Sequence, residues 1–286
     1  MPTRLPAPVS HGRARLSKAR GGRTLAPMEW RDDGIILSVR RHGENGAVVS
    51  LLTRARGRHA GLVRGGQSRR MKGMLQPGNR VEATWRARLE EHLGAMSLEP
   101  VASHAAALMM DSGRLAALSS ALSLIDTGLP EREPHPEIFD DLAALLVALE
   151  AESWAETYAR WEVGLLAELG FGLDLSACAA TGVTEDLTYV SPRTGRAVST
   201  EAARPYRERL LPLPAFLLSP RARAGAEALG QSLRLTGYFL ARHVLDLHGK
   251  PLPDARARLE RRFDTAATTG TGRVGEGGAD DILANS

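Results

Sequence analysis

A single cysteine, Cys178, stands among the 286 residues. No internal disulfide framework is possible, and a lone thiol suits a reducing cytoplasm. No apolar run approaches the roughly 20 residues that span a bilayer, so a soluble chain with no membrane partner is expected. Aromatic residues make up only 5%, which leaves few flat platforms for stacking against bases. The enzyme signatures G-x-x-x-x-G-K-[ST], G-x-S-x-G and H-E-x-x-H do not occur. The eight histidines are scattered without ligand spacing. The paired acids Asp32-Asp33 and Asp140-Asp141 are adjacent, and neighbouring side chains do not share a helix or strand face. An enzyme is therefore the least expected reading, and no cofactor is expected.

What is present is an uneven distribution of charge. The formal net charge of +4 averages over very different segments. Residues 1–27 carry six basic side chains and no acidic one, residues 28–103 carry 13 basic and 8 acidic, and residues 104–171 carry 3 basic and 12 acidic. A basic front before an acidic middle suggests different partners for different faces.

The first 27 residues are rich in Pro, Arg, Gly and Ala. They hold too little apolar surface to offset chain entropy and read as a disordered basic extension. Residues 28–103 read as five short strands, around Gly34–Val39, Ala47–Thr53, Arg58–Arg64, Asn79–Arg86 and Leu93–Leu98, separated by turn-forming Gly, Asn and Pro. Five short strands in so few residues suggest a small closed barrel of the OB type. The apolar period then becomes helical, over Leu108–Leu124, Ile138–Leu149 and Trp154–Leu169. Asp140, Asp141, Glu150, Glu152, Glu156 and Glu162 are expected on the solvated faces of these helices. Residues 173–219 form an irregular insert with a hairpin across Leu187–Val190 and Arg196–Ser199. A long helix from Arg221 to Leu247 and a short one from Asp254 to Phe263 follow, and residues 265–286 read as a disordered tail. The fold class is α+β: an OB-type barrel, then residues 104–264 as a mostly helical domain with a cysteine-depleted insert.

The strongest local signal is Arg54, Arg56, Arg58, Arg64, Arg69, Arg70 and Lys72, seven cations unbroken by an acidic residue. Guanidinium groups form paired hydrogen bonds to phosphate oxygens, and each neutralised phosphate releases counterions. These seven are the candidate nucleic-acid-binding residues. With aromatics scarce, backbone contact with weak sequence preference is the expected mode.

Several stretches together resemble the RecO family of recombination mediators. Met28-Glu29-Trp30-Arg31-Asp32-Asp33-Gly34-Ile35-Ile36-Leu37 is similar to the start of its barrel. Leu62-Val63-Arg64-Gly65-Gly66 and Leu75-Gln76-Pro77-Gly78 follow in that family's order, as do Leu165–Asp174 and Tyr189-Val190-Ser191-Pro192-Arg193-Thr194-Gly195. The likeness runs from about Met28 to Phe263. It implies annealing of complementary single strands, help to a recombinase on strands coated by single-strand-binding protein, and binding to both single- and double-stranded DNA. It also implies two protein partners, the acidic tail of single-strand-binding protein and the ring-forming RecR, and a cytoplasmic, nucleoid-associated setting. One feature departs from the family. Many relatives carry two zinc-ligating C-x-x-C pairs in the insert, but here they read Cys178-Ala179-Ala180-Thr181 and Ser199-Thr200-Glu201-Ala202. One sulfur does not make a four-ligand zinc site, so no zinc is expected.

Two other readings of the residues stay open: a protein-interaction scaffold whose arginines meet acidic protein surfaces, and an RNA-binding OB protein. Composition does not separate DNA from RNA.

Overall fold

A computed structural model describes residues 28–89, 91–219, 222–246 and 249–271. The extension at 1–27 and the last part of the expected tail, 272–286, lie outside the described residues.

The barrel closes in the order β1-β2-β3-β5-β4. Strand β1 (Met28–His42) is 15 residues long and serves two neighbours. Its first half pairs with β4 (Arg80–Ala87), from Met28↔Ala87 to Ile35↔Arg80, and its second half with β2 (Gly46–Thr53), from Gly34↔Thr53 to His42↔Gly46. A bulge between Ile36 and Ser38 bends the strand where it changes partner. Strand β3 (Gly57–Val63) meets β5 (Ala95–Ala102) in parallel through Leu62↔Ala95 and closes the ring. Helix α1 (Arg69–Met74) fills the β3–β4 connection, capped by the Ser68 hydroxyl, which accepts from the Met71 N–H. Five strands with a helix between the third and fourth make the OB-type barrel.

Side-chain alternation explains the barrel core. Ile36, Val49, Leu51, Val63, Val81, Trp85 and Met96 point inward with Leu75. The outer face of β1 and β2 is equally apolar, because it is buried too: Ile35, Leu37 and Leu52 belong to the core of the helical part. That double burial is why Ile35-Ile36-Leu37 and Leu51-Leu52 read as unbroken apolar runs. Between these layers the Ser38 and Ser50 hydroxyls both donate to the Asp126 carboxylate, at 2.9 and 2.7 Å.

The helices follow as α2 (Ala105–Leu108), α3 (Ser112–Gly128), α4 (Pro136–Ala148), α5 (Trp154–Glu168), the short α6 (Thr200–Ala203), α7 (Ala226–Phe239) and α8 (Asp254–Thr271). Asp111 caps α3, accepting from the Gly113 and Arg114 N–H groups. Helix α7 passes into a π-helical turn at Leu240–Leu245, and both ends of the expected long helix, Arg221 and Leu247, lie outside the described residues. Helix α8 runs to Thr271, past the boundary expected at 264. No proline interrupts Asp254–Thr271 and the first glycine is Gly270, so nothing local stops the helix earlier.

Two of the six acidic residues expected on solvated faces are buried, Glu156 at 6% and Glu162 at 0% exposure. Glu162 is held by Arg256 of α8, itself fully buried, through Arg256 Nη2 at 3.0 Å and Arg256 Nε at 2.5 Å. Tyr158 also donates to Glu162, at 2.6 Å, and the Thr236 hydroxyl donates to the same carboxylate. A carboxylate in an apolar interior survives only when paired and hydrogen-bonded, and this network supplies both.

The insert is a three-stranded sheet, β7 (Ala197–Ser199), β6 (Leu187–Val190) and β8 (Leu211–Pro212). The expected hairpin is β6–β7, and Pro212 masks the third strand in the sequence. Cys178 is buried, and its sulfur accepts from the Ser199 N–H at 3.3 Å and the Ser199 hydroxyl at 3.5 Å. Cys178 and Ser199, one from each stretch aligned above with the C-x-x-C pairs, are thus brought together here by hydrogen bonds. Burial alone would push the thiol up. The hydrogen bonds from Ser199, Thr181 and the Ala180 N–H outweigh it and bring it down to about 6. One sulfur, two neutral hydroxyls and the methyl of Ala202 do not fit zinc, and among the described residues no three His, Cys, Asp or Glu side chains converge as a metal site.

Candidate nucleic-acid interface

The seven cations of the Arg54–Lys72 run do not form one patch. Strand β3 lies in the middle of the run, and from Gly57 to Val63 it spans about 20 Å at the usual rise per residue. Arg54, Arg56 and Arg58 sit at its start, and Arg64, Arg69, Arg70 and Lys72 beyond its end.

The first group lies at the junction between barrel and helices. Arg54 makes a two-pronged bond to Asp140 of α4, through Nε at 3.0 Å and Nη2 at 2.7 Å. This pairing raises the Arg54 guanidinium and lowers the Asp140 carboxyl from their ordinary values. Arg58 donates from Nε to the Leu129 carbonyl at 3.0 Å and lies 3.5 and 3.4 Å from Asp126 and Glu131. Its main chain is engaged as well, since the Arg132 N–H donates to the Arg58 carbonyl at 2.8 Å. The two chains approach so closely at Gly57 (φ +67°) that a Cβ there would overlap the Glu133 carbonyl. Arg54 and Arg58 therefore act as joints. Arg56 is exposed, and only its backbone is tied, to Asp32 and Thr53.

The second group is free of such ties. Arg64, Arg69, Arg70 and Lys72 are all exposed, and among the described residues none has an ion-pair partner. Arg64 lines a groove of about 440 Å³ together with Leu62, Met71, Arg86, Met96 and Leu98, and Arg69, Arg70 and Lys72 share helix α1 with Met71 of its wall. The β1–β2 turn adds exposed Arg40 and Arg41 at the same end, since Gln67 donates to the Asn45 and Gly46 carbonyls. Sequence reading missed Arg40, Arg41 and Arg86. They lie outside the acid-free run, and only the barrel closure that sets β4 and β5 beside β3 brings Arg86, itself paired with Glu29 at 2.7 Å, to the groove that Arg64 lines.

The opposite mouth of the barrel holds its aromatics. Trp30 and Trp85 are cross-strand partners with rings stacked at 5.8 Å, and His59 packs edge-on to both, at 4.9 and 4.8 Å. Trp85 is in the core, with its indole N–H donating to the Leu93 carbonyl.

Two family descriptions match the chain, "Recombination protein O N terminal" over residues 28–104 and "Recombination protein O C terminal" over residues 109–251. The chain belongs to the RecO family. It is 58% identical over 244 residues to a "DNA repair protein RecO" of Rhodospirillum centenum, covering 85% of this chain and 97% of that protein. A Rhodospirillum rubrum protein of the same name is 53% identical over 243 residues, 82% of this chain and 96% of the relative. One from Cereibacter sphaeroides is 52% identical over 233 residues, 81% and 97%. The boundary between the two matched regions falls where β5 gives way to the helices, so this RecO-family chain is divided in sequence where it is divided in structure.

Proposed function

We propose that this RecO-family chain serves DNA repair and recombination by binding single- and double-stranded DNA along the α1 edge of its barrel, annealing complementary strands and helping a recombinase onto strands coated by single-strand-binding protein. The observation that supports this most is the asymmetry of the basic run: Arg64, Arg69, Arg70 and Lys72 stand exposed with no ion-pair partner among the described residues, Arg64 lining a groove walled by α1, while Arg54 and Arg58 are consumed internally. Unpaired arginines and lysine present the donors that phosphate oxygens take. The groove floor is apolar, from Leu62, Met71, Met96 and Leu98, which suits the apolar surface of the sugar rings.

A strand held by its phosphates leaves its base-pairing edges outward, which is the geometry that annealing needs. No step in this function makes or breaks a covalent bond, and the reading assigns no enzyme activity and no metal. The acidic tail of single-strand-binding protein and RecR complete the proposed partners. Arg256 is not available to grip an acidic tail, because it is buried against Glu162. Among the described residues no helix is long and apolar enough to cross a membrane.

The test is strand annealing by the full chain, with complementary oligonucleotides free or coated with single-strand-binding protein. Acceleration of both reactions is expected. A chain that binds RecR but neither binds nor anneals DNA would establish the scaffold reading instead.

A further inference from the structure

The mouth of the barrel away from α1 holds a second site. A recess of about 110 Å³ is bounded by Met28, Trp30, Arg56, His59, Trp85 and Arg132. His59 is only 3% exposed, yet neither ring nitrogen has a hydrogen-bond partner among the described residues. Arg132 reaches the same recess from the α3–α4 connection. Its Nε is likewise buried and unpaired, although its Nη2 donates to the His92 carbonyl at 3.1 Å. Its backbone is held at φ +64°, a region non-glycine residues rarely adopt. Buried polar atoms without partners are uncommon in folded proteins, and each leaves a hydrogen-bonding position for a further group to take. Here two side chains that carry three such atoms, His59 and Arg132, line one recess.

We infer that this recess takes one unpaired nucleobase of a single strand, stacked on Trp30 and read at its edge by His59, with the adjoining phosphate on Arg56. The volume suits one flat ring and is too small for a helix or folded loop. The chemistry favours a base over a bare phosphate. A phosphate needs only cations, whereas this recess adds a half-buried indole and an imidazole to its cations. Burial, and then the nearby charges of Arg132 and Arg56, pull the His59 imidazole down to about 4. It is therefore neutral near pH 7 and offers one donor and one acceptor, the pattern of a base edge, rather than the two donors of an imidazolium. Along β4, Trp85 of the mouth directly precedes Arg86 of the basic groove. The inference rests on the reading of the barrel as a DNA-binding domain, and it adds one base contact to a track that otherwise holds backbone.

The experiment compares two strands of equal length on the full chain at fixed salt: oligodeoxythymidine and an abasic deoxyribose–phosphate oligomer. The base-bearing strand is expected to bind about tenfold tighter, the scale of one base stacked on an aromatic ring. His59→Phe keeps a planar ring and removes both unpaired nitrogens, so it is expected to stay folded while losing most of that preference without changing abasic affinity. Trp30→Ala is expected to do the same, and should it unfold the chain, His59→Phe carries the decision. Equal affinity of the parent for both strands overturns the base recess and leaves the basic track standing. So does a His59→Phe variant with its preference intact. Failure of both strands to bind overturns the DNA reading and the recess together.

Discussion

If Arg64, Arg69, Arg70 and Lys72 hold phosphates while Arg54 and Arg58 hold the helices, the two sets must separate in a salt titration. The four exposed cations are the perturbation, replaced one at a time by Gln. Each phosphate contact on a single strand contributes about −0.7 to the slope of log K against log salt. Four contacts give a slope near −2.8, so affinity falls about 50-fold between roughly 50 and 200 mM salt. Removing one contact leaves a slope near −2.1 and a fall of about 18-fold over the same range. Arg54→Gln is expected to leave the slope unchanged, because that charge is already neutralised by the two-pronged bond to Asp140. Asp140→Asn is the mirror test: it frees Arg54 and is expected to steepen the slope, by up to about 0.7. Anisotropy of a labelled strand at several salt concentrations reads all of these. The reasoning is refuted if Arg54→Gln flattens the slope as much as Arg69→Gln does, or if the parent's affinity does not respond to salt.

Other consequences follow from the interior. Glu162→Gln leaves Arg256 buried against a neutral group and is expected to cost about 3–5 kcal/mol in urea unfolding, whereas Glu162→Leu with Arg256→Met should recover most of it; a double variant as unstable as the single would contradict this. His59, with its proton affinity lowered in the fold, contributes stability that is complete above pH 6.5, declines as the pH falls toward 4 and levels off below that. By pH 5 the loss is about 2 kcal/mol, and His59→Phe should remove that part of the pH dependence from thermal melts. Thr181→Cys, Ser199→Cys and Ala202→Cys together with Cys178 are expected to bind one zinc per chain by elemental analysis, because the Cys178 sulfur already lies 3.5 Å from the Ser199 oxygen. Gly57→Ala meets both a left-handed backbone and the Glu133 carbonyl, so it should loosen the barrel–helix junction, seen as faster amide exchange at Arg58 and Arg132.

The barrel and most of the helices were legible because their signals are local. Strand period, turn residues and a 3.6-residue apolar repeat each act over a few positions. What escaped depended on distant partners. Nothing near Glu162 in sequence distinguishes it from Glu150 or Glu152. Only the arrival of Arg256, 94 residues away, turns an expected surface acid into a buried one. Pro212 reads as a break, and it is tolerated in β8 because that two-residue strand lies at the edge of its sheet, after β6. The apolar run of β2 reads only as a barrel strand, and that α3 and α4 cover its outer face is a contact between distant segments.

The site was legible in kind and not in extent, for the same reason. An acid-free run of seven cations is a statement about sequence neighbours, and a strand through its middle separates those neighbours by its whole length. The acids that neutralise part of the run come from Asp126, Glu131 and Asp140, inside the stretch that carries 12 acidic and 3 basic residues. The opposed charges of the two halves thus have a first use within the chain itself, since they clamp the helices to one end of the barrel. Only the cations beyond the clamp's reach remain for an external polyanion. An acidic domain fused to a basic barrel by such a joint also limits where DNA can lie. A strand on the α1 edge is attracted, while one laid over the helices meets exposed Asp141, Glu150 and Glu152. Electrostatics therefore sets the strand's location as well as its affinity, and reversing that acidic face to Lys should add a second, salt-sensitive binding mode without altering the first.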